Sequence, residues 1–311
     1  MDAMKNVYFL SDAHLGSRAI AHGRTQERRL VNFLDSIKHR AAAVYLLGDM
    51  FDFWYEFKLV VPKGYTRFLG KISELTDLGV EVHFFIGNHD IWCGDYLEKE
   101  CGVILHREPL TCEIYGKEFF LGHGDGLGDN DRKFKLLRTM FHSKTLQRLF
   151  SMLHPRWSVE FGLEWAKHSR LKREGGREPE YMGEDKEPLV LFSKDYLKSH
   201  PDINYFIYGH RHIMLDLMLS RTSRMMILSI ELSPATKPAF LSVSELSAVL
   251  SALLSVSAVL SETVSELLSV SAAFSSVLNL SPVKTSMSGF AICSFTISLL
   301  STSSIRYVIR S

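Results

Sequence analysis

Five short groups of histidine, aspartate and asparagine recur along the first 212 residues of the chain. They read Asp12-Ala13-His14, Gly48-Asp49-Met50-Phe51-Asp52, Gly87-Asn88-His89-Asp90, Gly122-His123-Gly124-Asp125 and Gly209-His210-Arg211-His212. Imidazole and carboxylate together suit Mn, Fe or Zn, whereas all-oxygen sites suit Mg or Ca. Burying so many of these groups without cations would cost several kcal/mol for each charged group. The groups therefore predict a metal site.

Each group follows an apolar run of strand length. The runs are Val7–Leu10, Val44–Leu47, Val82–Ile86, Phe119–Leu121 and Ile203–Tyr208. In open α/β sheets, ligands bind outside the carboxyl ends of the strands. We therefore expect an α/β protein in which five strands deliver these side chains to one place.

The order and form of the five groups resemble the blocks of the calcineurin-like metallophosphoesterase superfamily, which run DxH, GDxxD, GNH[DE], GH and GHxH. The resemblance implies a four-layer α/β/β/α metallophosphoesterase sandwich. It also implies two divalent metal ions bound side by side, with manganese as the expected metal. The implied activity is metal-dependent hydrolysis of a phosphoric ester or diphosphate.

The same resemblance assigns a role to each residue of the groups. The first metal ion would be bound by Asp12, His14, Asp49 and His212, and the second by Asn88, His123 and His210, with Asp49 bridging both. Paired dications lower the pKa of water, so that hydroxide attacks phosphorus in line. His89 is the implied catalytic residue that protonates or polarises the leaving oxygen. Asp52 and Asp90 are implied to lie behind the ligands and to orient the ligating histidines.

A change of periodicity marks the segment between the fourth and fifth groups. From residue 131 to 173, apolar residues recur at helical spacing and eleven lysines and arginines are interleaved with them. An apolar and cationic insert beside a phosphoesterase centre suits a substrate with acyl chains and a diphosphate. Ordinary amphipathic helices packed on the core explain the pattern as well. A helix pair that docks on anionic lipid is a third interpretation, compatible with the first.

The fourth group and its continuation, Asp129-Asn130-Asp131 and an aromatic and basic helix, are similar to the UDP-2,3-diacylglucosamine diphosphatases of lipid A biosynthesis. That similarity covers roughly residues 5–228 and implies hydrolysis of UDP-2,3-diacylglucosamine to UMP and 2,3-diacylglucosamine 1-phosphate. One departure is His89, where the best-known branch of that family has arginine. By position in the implied lid, the candidate substrate contacts are Asp129, Arg132, Lys167, Ser169 and Lys172.

Two other functions stay open on the sequence alone. A soluble nucleotide or cyclic-nucleotide phosphodiesterase would use the same centre, although an apolar lid argues against it. A non-catalytic scaffold would have lost metal ligands, and none is missing here. The net charge of +1 and the lack of a broad basic face outside the lid argue against a nucleic-acid partner. The aromatic segment Phe51–Phe68 either lines an acyl or sugar pocket or packs in the core.

The cysteines and the first residues bear on the compartment. The four cysteines form no CxxC pair and no disulfide framework, which indicates reduced thiols. The apolar run that follows Met1-Asp2-Ala3-Met4-Lys5 is too short for a signal-peptide core. We expect a cytoplasmic protein, peripherally associated with the inner membrane that holds an acylated, UDP-linked sugar.

The domain organisation follows from these changes of pattern. We expect a metallophosphoesterase core from 1–128 and 185–228, a helical lid insert at 129–184 and an anomalous tail at 229–311. The core should end in a hairpin of Leu215–Leu219 and Met225–Leu228. The tail is rich in Ser, Leu, Val and Ala, and residues 247–260 and 261–274 match at eight of fourteen positions. We interpret it as a low-complexity segment and favour an out-of-frame reading of the gene as its origin. The alternatives are a genuine low-complexity extension and membrane-associated helices.

Overall fold

The computed structural model describes residues 5–18, 23–128, 132–174 and 180–230, and the two-residue strands Phe240–Leu241 and Ile309–Arg310. The side chains of 132–135, 137, 169–174 and the two short strands are not part of that description. Nearly all of the predicted tail therefore lies outside the described residues, and so does Asp129. The interpretation of the tail stays a prediction.

The described residues form eleven strands and seven helices. The strands are β1 (Asn6–Leu10), β2 (Ala41–Leu46), β3 (Glu81–Phe85), β4 (Ile104–His106), β5 (Leu110–Ile114), β6 (Lys117–Leu121), β7 (Ile203–Tyr208), β8 (Leu215–Met218), β9 (Arg224–Ile227), β10 (Phe240–Leu241) and β11 (Ile309–Arg310). The helices are α1 (Gly23–Ile37), α2 (Thr66–Asp77), α3 (Tyr96–Cys101), α4 (Arg132–His142), α5 (Lys144–Ser151), α6 (Pro155–Glu174) and α7 (Pro188–Ser199).

Two larger sheets carry the five predicted strands. The first sheet is parallel throughout and has the order β1-β2-β3-β4. The second has the order β5-β6-β7-β9-β8, with β6, β7 and β9 parallel and the two edge strands antiparallel to their neighbours. The hairpin of β8 and β9 confirms the predicted one to within two residues at each end. Within the part of the chain that the structure describes, β10 and β11 form a separate two-stranded sheet.

Side chains of alternate residues in β1 enter different layers of the core, as the two-residue period of a strand requires. Val7 and Phe9 point between the two sheets, where Phe9 stacks on Phe119 of β6 with ring centroids 6.0 Å apart. Tyr8 and Leu10 point to the other face and pack among α1, α2 and α3. Helix α7 covers the outer face of the second sheet. The layers are therefore helix, sheet, sheet and helix, and the predicted α/β/β/α sandwich is confirmed.

Local sequence signals explain where several helices begin and end. Ser143 precedes α5, and its hydroxyl accepts from the N–H of Leu146, which satisfies one free donor of the first turn. Pro188 is the first residue of α7, where a missing N–H costs nothing. Gly102 follows α3 with φ of 67°, the left-handed conformation that closes helices.

The segment between β6 and α7 contains α4, α5 and α6, in agreement with the predicted helical periodicity. Hydrogen bonds from aromatic side chains of the core reach α5 and α4. Tyr55 Oη donates to the carbonyl of Gln147 at 2.8 Å, and Trp92 Nε1 donates to the carbonyl of Phe141 at 2.8 Å. We call α4, α5 and α6 the lid.

Residues that pack in the core continue to Ile230, two residues past the boundary predicted at 228. The N–H of Ile230 donates to the carbonyl of Ser11 at 3.0 Å, directly before Asp12. The side chain of Ile230 is buried among residues of β1 and the helices above it. This continuation ties the end of the described chain to the first histidine–aspartate group.

Candidate dinuclear metal centre

Five of the candidate ligands share an unusual backbone conformation. Asp12, His14, Asp49, His210 and His212 have φ of 57°, 41°, 52°, 68° and 52°. Only two other non-glycine residues of the described chain, Tyr65 and Tyr115, have positive φ. Side chains other than glycine rarely adopt this conformation, and such residues concentrate at functional sites. The strands β1, β2 and β7 are therefore each followed by a sharp turn that carries the polar side chains of the centre.

The first ligand cluster consists of Asp12, His14, Asp49 and His212, whose ligand atoms all lie within 4.8 Å of one another. The Nε2 atoms of His14 and His212 are 3.1 Å apart. Asp12 Oδ1 lies 3.4 Å from the Nε2 atom of His212 and 3.7 Å from that of His14. Two imidazole nitrogens and two carboxylates at these separations can surround one cation.

The second cluster adjoins the first through Asp49. Asp49, His123 and His210 also have ligand atoms within 4.8 Å of one another. Asp49 Oδ2 lies 3.2 Å from His123 Nε2 and 3.8 Å from His14 Nε2. The amide oxygen of Asn88 lies 3.4 Å from the same His123 nitrogen. One carboxylate thus reaches histidines of both clusters, which is the position of a bridging ligand.

Glycines allow the loops of the centre to approach so closely. A Cβ atom added to Gly87 would overlap the carboxylate and the backbone nitrogen of Asp49. A Cβ atom on Gly48 would lie 2.7 Å from the Nδ1 atom of His123. The glycine at the start of these groups is therefore a steric requirement of the ligand arrangement.

Asp52 and Asp90 support the ligands in different ways. Asp52 Oδ1 lies 3.5 Å from His14 Nδ1, so it is placed to orient that ring. The carboxylate of Asp90 accepts instead from the backbone N–H groups of Gly87, Asp49 and Met50, at 2.7, 3.4 and 2.9 Å. Asp90 therefore fixes two ligand loops by their backbone, whereas the sequence led us to expect that it orients a histidine ring.

An ion pair with a buried carboxylate holds the loop that carries His210 and His212. The guanidinium of Arg211, between the two, lies 2.6 Å (Nε) and 3.3 Å (Nη2) from the oxygens of Glu187. The side chain of Glu187 is fully buried at the start of α7. Sequence reasoning missed this pair, since nothing in the spacing of 24 residues connects the two. A planar guanidinium that donates two hydrogen bonds to one carboxylate fixes the orientation of the loop better than a lysine ammonium group would.

The ionisable groups of the two clusters shift one another's pKa values. Burial raises the pKa of Asp12 to about 7. Burial also acts against ionised Asp49, but the neighbouring His123 and His89 hold the pKa of that carboxyl well below its usual range. Burial acts against protonation of His123, yet Asp49 and Asp12 raise the pKa of this imidazole well above its usual value. Buried carboxylates in such a cluster need positive charge beside them, which divalent cations supply.

Comparison with known proteins supports the family to which this centre points. The family model for calcineurin-like phosphoesterases matches residues 5–214, a span that contains every candidate ligand. The chain belongs to the calcineurin-like phosphoesterase family. It is a metallophosphoesterase, and its centre has the residues for two metal ions.

Curated relatives of this phosphoesterase carry a more specific name. A UDP-2,3-diacylglucosamine hydrolase of Porphyromonas gingivalis is 43% identical over 234 residues, which is 71% of this chain and 88% of the relative. A UDP-2,3-diacylglucosamine hydrolase of Neisseria meningitidis serogroup C is 32% identical over 171 residues, 55% of this chain and 70% of the relative. The crystal structure of a dimetal phosphatase from Danio rerio covers 73% of this chain and 88% of its own at 15% identity and a TM-score of 0.37.

An apolar cavity of about 240 Å³ lies between the metal centre of the phosphoesterase and its lid. Asp52, Asn88 and His89 line one end. The remaining walls are mostly aromatic and aliphatic, and include Phe53, Trp92, Phe141, Phe150, Phe161 and Trp165. We call this space the lipid cavity. Of the aromatic residues in the segment Phe51–Phe68, Phe53 lines it, whereas Phe51, Trp54 and Phe68 are buried in the core.

His89 stands at the junction of the centre and the lipid cavity. Its backbone N–H donates to Asp49 Oδ1 at 2.8 Å, and its ring Nδ1 donates to the carbonyl of Asp52 at 2.8 Å. With His14 and Asp52 it also forms a third group of three ligand-type side chains within 4.8 Å. This position suits a residue that meets the substrate beside the metals.

The candidate contacts predicted on the lid are largely outside the described structure. Asp129 and the side chains of Arg132, Ser169 and Lys172 are not among the described atoms. Lys167 is described: its Nζ lies 3.7 Å from Glu164, and it is not among the residues that line the lipid cavity. Its role in substrate binding therefore stays a prediction.

Sequence reasoning did not single out two contacts between the core and the lid. Arg18, four residues after His14, contacts Glu160 and Glu164 of α6 at 2.6 and 2.7 Å. Arg138 Nε of α4 donates at 2.9 Å to Oδ2 of Asp125, the last residue of the fourth polar group. Both contacts connect loops of the metal centre to lid helices, and only the folded chain brings these residues together.

Proposed function

We propose that this phosphoesterase hydrolyses UDP-2,3-diacylglucosamine to UMP and 2,3-diacylglucosamine 1-phosphate. The observation that carries the proposal is the lipid cavity, because its apolar walls end at Asn88 and His89 of the metal centre. A substrate with acyl chains attached to a sugar diphosphate needs such an apolar space next to charged groups. The names of the curated relatives support the same substrate.

The donor set fits two divalent cations. The first would be held by Asp12, His14, Asp49 and His212, and the second by Asn88, His123 and His210 together with Asp49. Mixed imidazole and carboxylate donors favour Mn, Fe or Zn over Mg, and manganese is the metal that we propose. When bound, two such cations lower the pKa of water and neutralise the charge on phosphoryl oxygens.

His89 is the proposed proton donor to the leaving oxygen. A carbonyl oxygen can only accept, so the bond to Asp52 fixes a proton on the Nδ1 atom of His89. A second proton on the ring must then sit on Nε2. Hydroxide attack at the α-phosphorus would break its bond to the bridging oxygen, and that Nε2 proton would pass to the departing 1-phosphate oxygen.

An attachment to the membrane surface is the second part of the proposal. Met152, Leu153 and Trp157 are 80%, 49% and 69% exposed at the turn between α5 and α6. Arg148 and Arg156 are exposed on the same stretch. An apolar patch flanked by cations suits the surface of an anionic membrane. No helix in the described ranges combines the length and apolar character that a membrane crossing requires. We propose peripheral binding to the cytoplasmic face of the inner membrane.

Sedimentation with vesicles tests this attachment. We expect the protein to bind vesicles that contain anionic lipid more strongly than neutral ones, and M152D/W157D to bind weakly to both. Equal binding of the variant and the unchanged protein would contradict a role for this patch. Release by high salt would separate the contribution of the cations from that of the apolar residues.

The substrate proposal is tested by UMP release from UDP-2,3-diacylglucosamine in detergent, in water enriched in ¹⁸O. Attack at the α-phosphorus predicts that the label enters UMP, whereas label in the sugar phosphate would overturn the proposed site of attack. Asp49→Asn serves as the matched inactive variant, because it removes the charge of the side chain that reaches both clusters and keeps its shape. Equal activity on cyclic nucleotides without detergent would favour the alternative of a soluble phosphodiesterase.

A further inference from the structure

A second cavity, of about 190 Å³, adjoins the metal centre and shares part of its wall with the lipid cavity. Its inner end is formed by Gly87 and His123 of the centre. Ile91, Asp125 and Arg138 line both cavities, so the ion pair of Asp125 and Arg138 stands between them. We call this space the polar cavity.

The walls of the polar cavity differ in chemistry from those of the lipid cavity. They include His106, Arg107, Glu108 and His142 in addition to the shared ion pair. The guanidinium of Arg107 is itself fixed, because it donates to the carbonyls of Cys93 and Gly94 at 2.8 and 2.7 Å. Imidazoles, carboxylates and guanidinium groups supply both donors and acceptors. A ligand with several hydroxyl and carbonyl groups can be satisfied here, whereas the lipid cavity would leave such groups without partners.

Arg138 is placed to bind an anion at the boundary. Its Nε donates to Asp125, and this is the single hydrogen bond of the Arg138 guanidinium to the described residues. Its other N–H donors therefore remain for a ligand. The side chain of Asp125 is 12% exposed, and that of Arg138 is 39% exposed. A guanidinium held by one edge on a buried carboxylate keeps a fixed orientation and can still contact a phosphate.

We propose that the polar cavity binds the nucleotide half of the substrate, a nucleoside monophosphate group, while the lipid cavity takes the acylated half. This inference rests on the proposed function, because it assigns the two halves of that substrate to two spaces. The diphosphate then crosses the edge formed by Gly87, Asn88 and His89, beside Arg138. A ribose diol and a pyrimidine base present the donors and acceptors that Glu108 and His142 can meet.

Inhibition of the hydrolysis of a generic phosphodiester, bis(p-nitrophenyl) phosphate, tests the inference without the lipid. UMP and inorganic phosphate are compared as inhibitors, because both offer a phosphate to the metals and only UMP offers a nucleoside. We expect UMP to inhibit at a concentration about tenfold lower than phosphate, which corresponds to one or two additional hydrogen bonds. If UMP inhibits no better than phosphate, the inference is overturned.

Paired variants locate the nucleoside. In H142A/E108A we expect the inhibition constant of UMP to rise about tenfold towards that of phosphate, since both side chains line the polar cavity alone. The matched control is H39A/E100A, in which exposed residues of the same types are removed from the surface. If H142A/E108A weakens inhibition by UMP and by phosphate equally, the assignment is wrong. It is also wrong if W165A, in the lipid cavity, weakens inhibition by UMP and H142A/E108A does not.

The same experiments separate this inference from the proposed function. Selective inhibition by UMP together with no cleavage of UDP-2,3-diacylglucosamine would support the polar cavity as a nucleotide site and reject the lipid substrate. Cleavage of UDP-2,3-diacylglucosamine together with equal inhibition by UMP and phosphate would support the substrate and reject the polar cavity.

Discussion

Close approach of the lid to the core at Gly162 leads to a prediction whose sign depends on the structure. An ideal Cβ atom at this position of α6 would lie well inside van der Waals contact with the ring of Phe53. That ring is held by an edge-to-face contact with Trp92, at 6.1 Å between centroids. Helix propensity alone says that Gly162→Ala stabilises the protein by up to about 1 kcal/mol. Overpacking costs about 1–3 kcal/mol.

Gly70 in α2 provides the matched control. It also lies within a helix, and nothing stands within 4 Å of a Cβ atom added there. The gain in propensity is common to both variants, so the difference between them isolates the clash. We expect Gly162→Ala to be less stable than Gly70→Ala by about 1–3 kcal/mol in urea unfolding. A shifted α6 also disturbs the lipid cavity, so KM for the lipid substrate should rise about tenfold.

Two results would refute this reasoning. If the two alanine variants are equally stabilised, α6 does not pack on Phe53 as described. If Gly162→Ala raises KM for bis(p-nitrophenyl) phosphate as much as for the lipid substrate, the contact supports the metal centre and not the lipid cavity. Gly70→Ala should leave both KM values unchanged.

Three further predictions concern the support of the centre and the core. Glu187→Gln removes the charge opposite Arg211, and we expect the free energy of unfolding in urea to fall by about 2–3 kcal/mol. This loss is smaller than for a fully buried ion pair, because the side chain of Arg211 is 26% exposed. Asp52→Asn should lower the affinity for manganese or the activity about 10–100-fold in metal titrations, while the free energy of unfolding changes little. An unchanged affinity for manganese would contradict the role of Asp52 in orienting His14. Burial, with His83 beside it, lowers the pKa of His106 from 6.5 to about 4. Below pH 6.5, His106 is therefore protonated in the unfolded chain but stays neutral in the folded protein down to about pH 4. The free energy of unfolding consequently decreases as the pH falls from about 6.5 to 4. His106→Gln should reduce that loss by about 1–2 kcal/mol after allowance for solvent, as measured by urea midpoints at pH 7 and 5.

The convergence of the ligands could be predicted because it depends on local signals. Apolar runs identified β1, β2, β3, β6 and β7, and the polar group after each run gave the end at which the site forms. The parallel arrangement of these strands within each sheet then brings their carboxyl ends to one edge. The lid helices were equally visible, because α4, α5 and α6 repeat apolar residues at helical spacing.

Contacts between distant segments could not be predicted in this way. The pairs of Arg211 with Glu187 and of Arg138 with Asp125 depend on how α7 and α4 dock, which no local pattern records. The same is true of Asp90, whose carboxylate binds backbone N–H groups that any sequence would offer. Strand β4 has only three residues, and none of the five polar groups follows it, so the pattern that identified the other strands does not mark it.

The central claim is that a dinuclear centre, formed where five strands end, cleaves UDP-2,3-diacylglucosamine. The most direct test is UMP release by the full chain after removal of metal and titration with Mn²⁺, with bis(p-nitrophenyl) phosphate measured in parallel. We predict no UMP without metal, activity restored as two equivalents of Mn²⁺ bind, and loss of both the activity and the second equivalent in Asp49→Asn. Hydrolysis of the generic ester alone, or UMP release that does not depend on metal, would contradict the account.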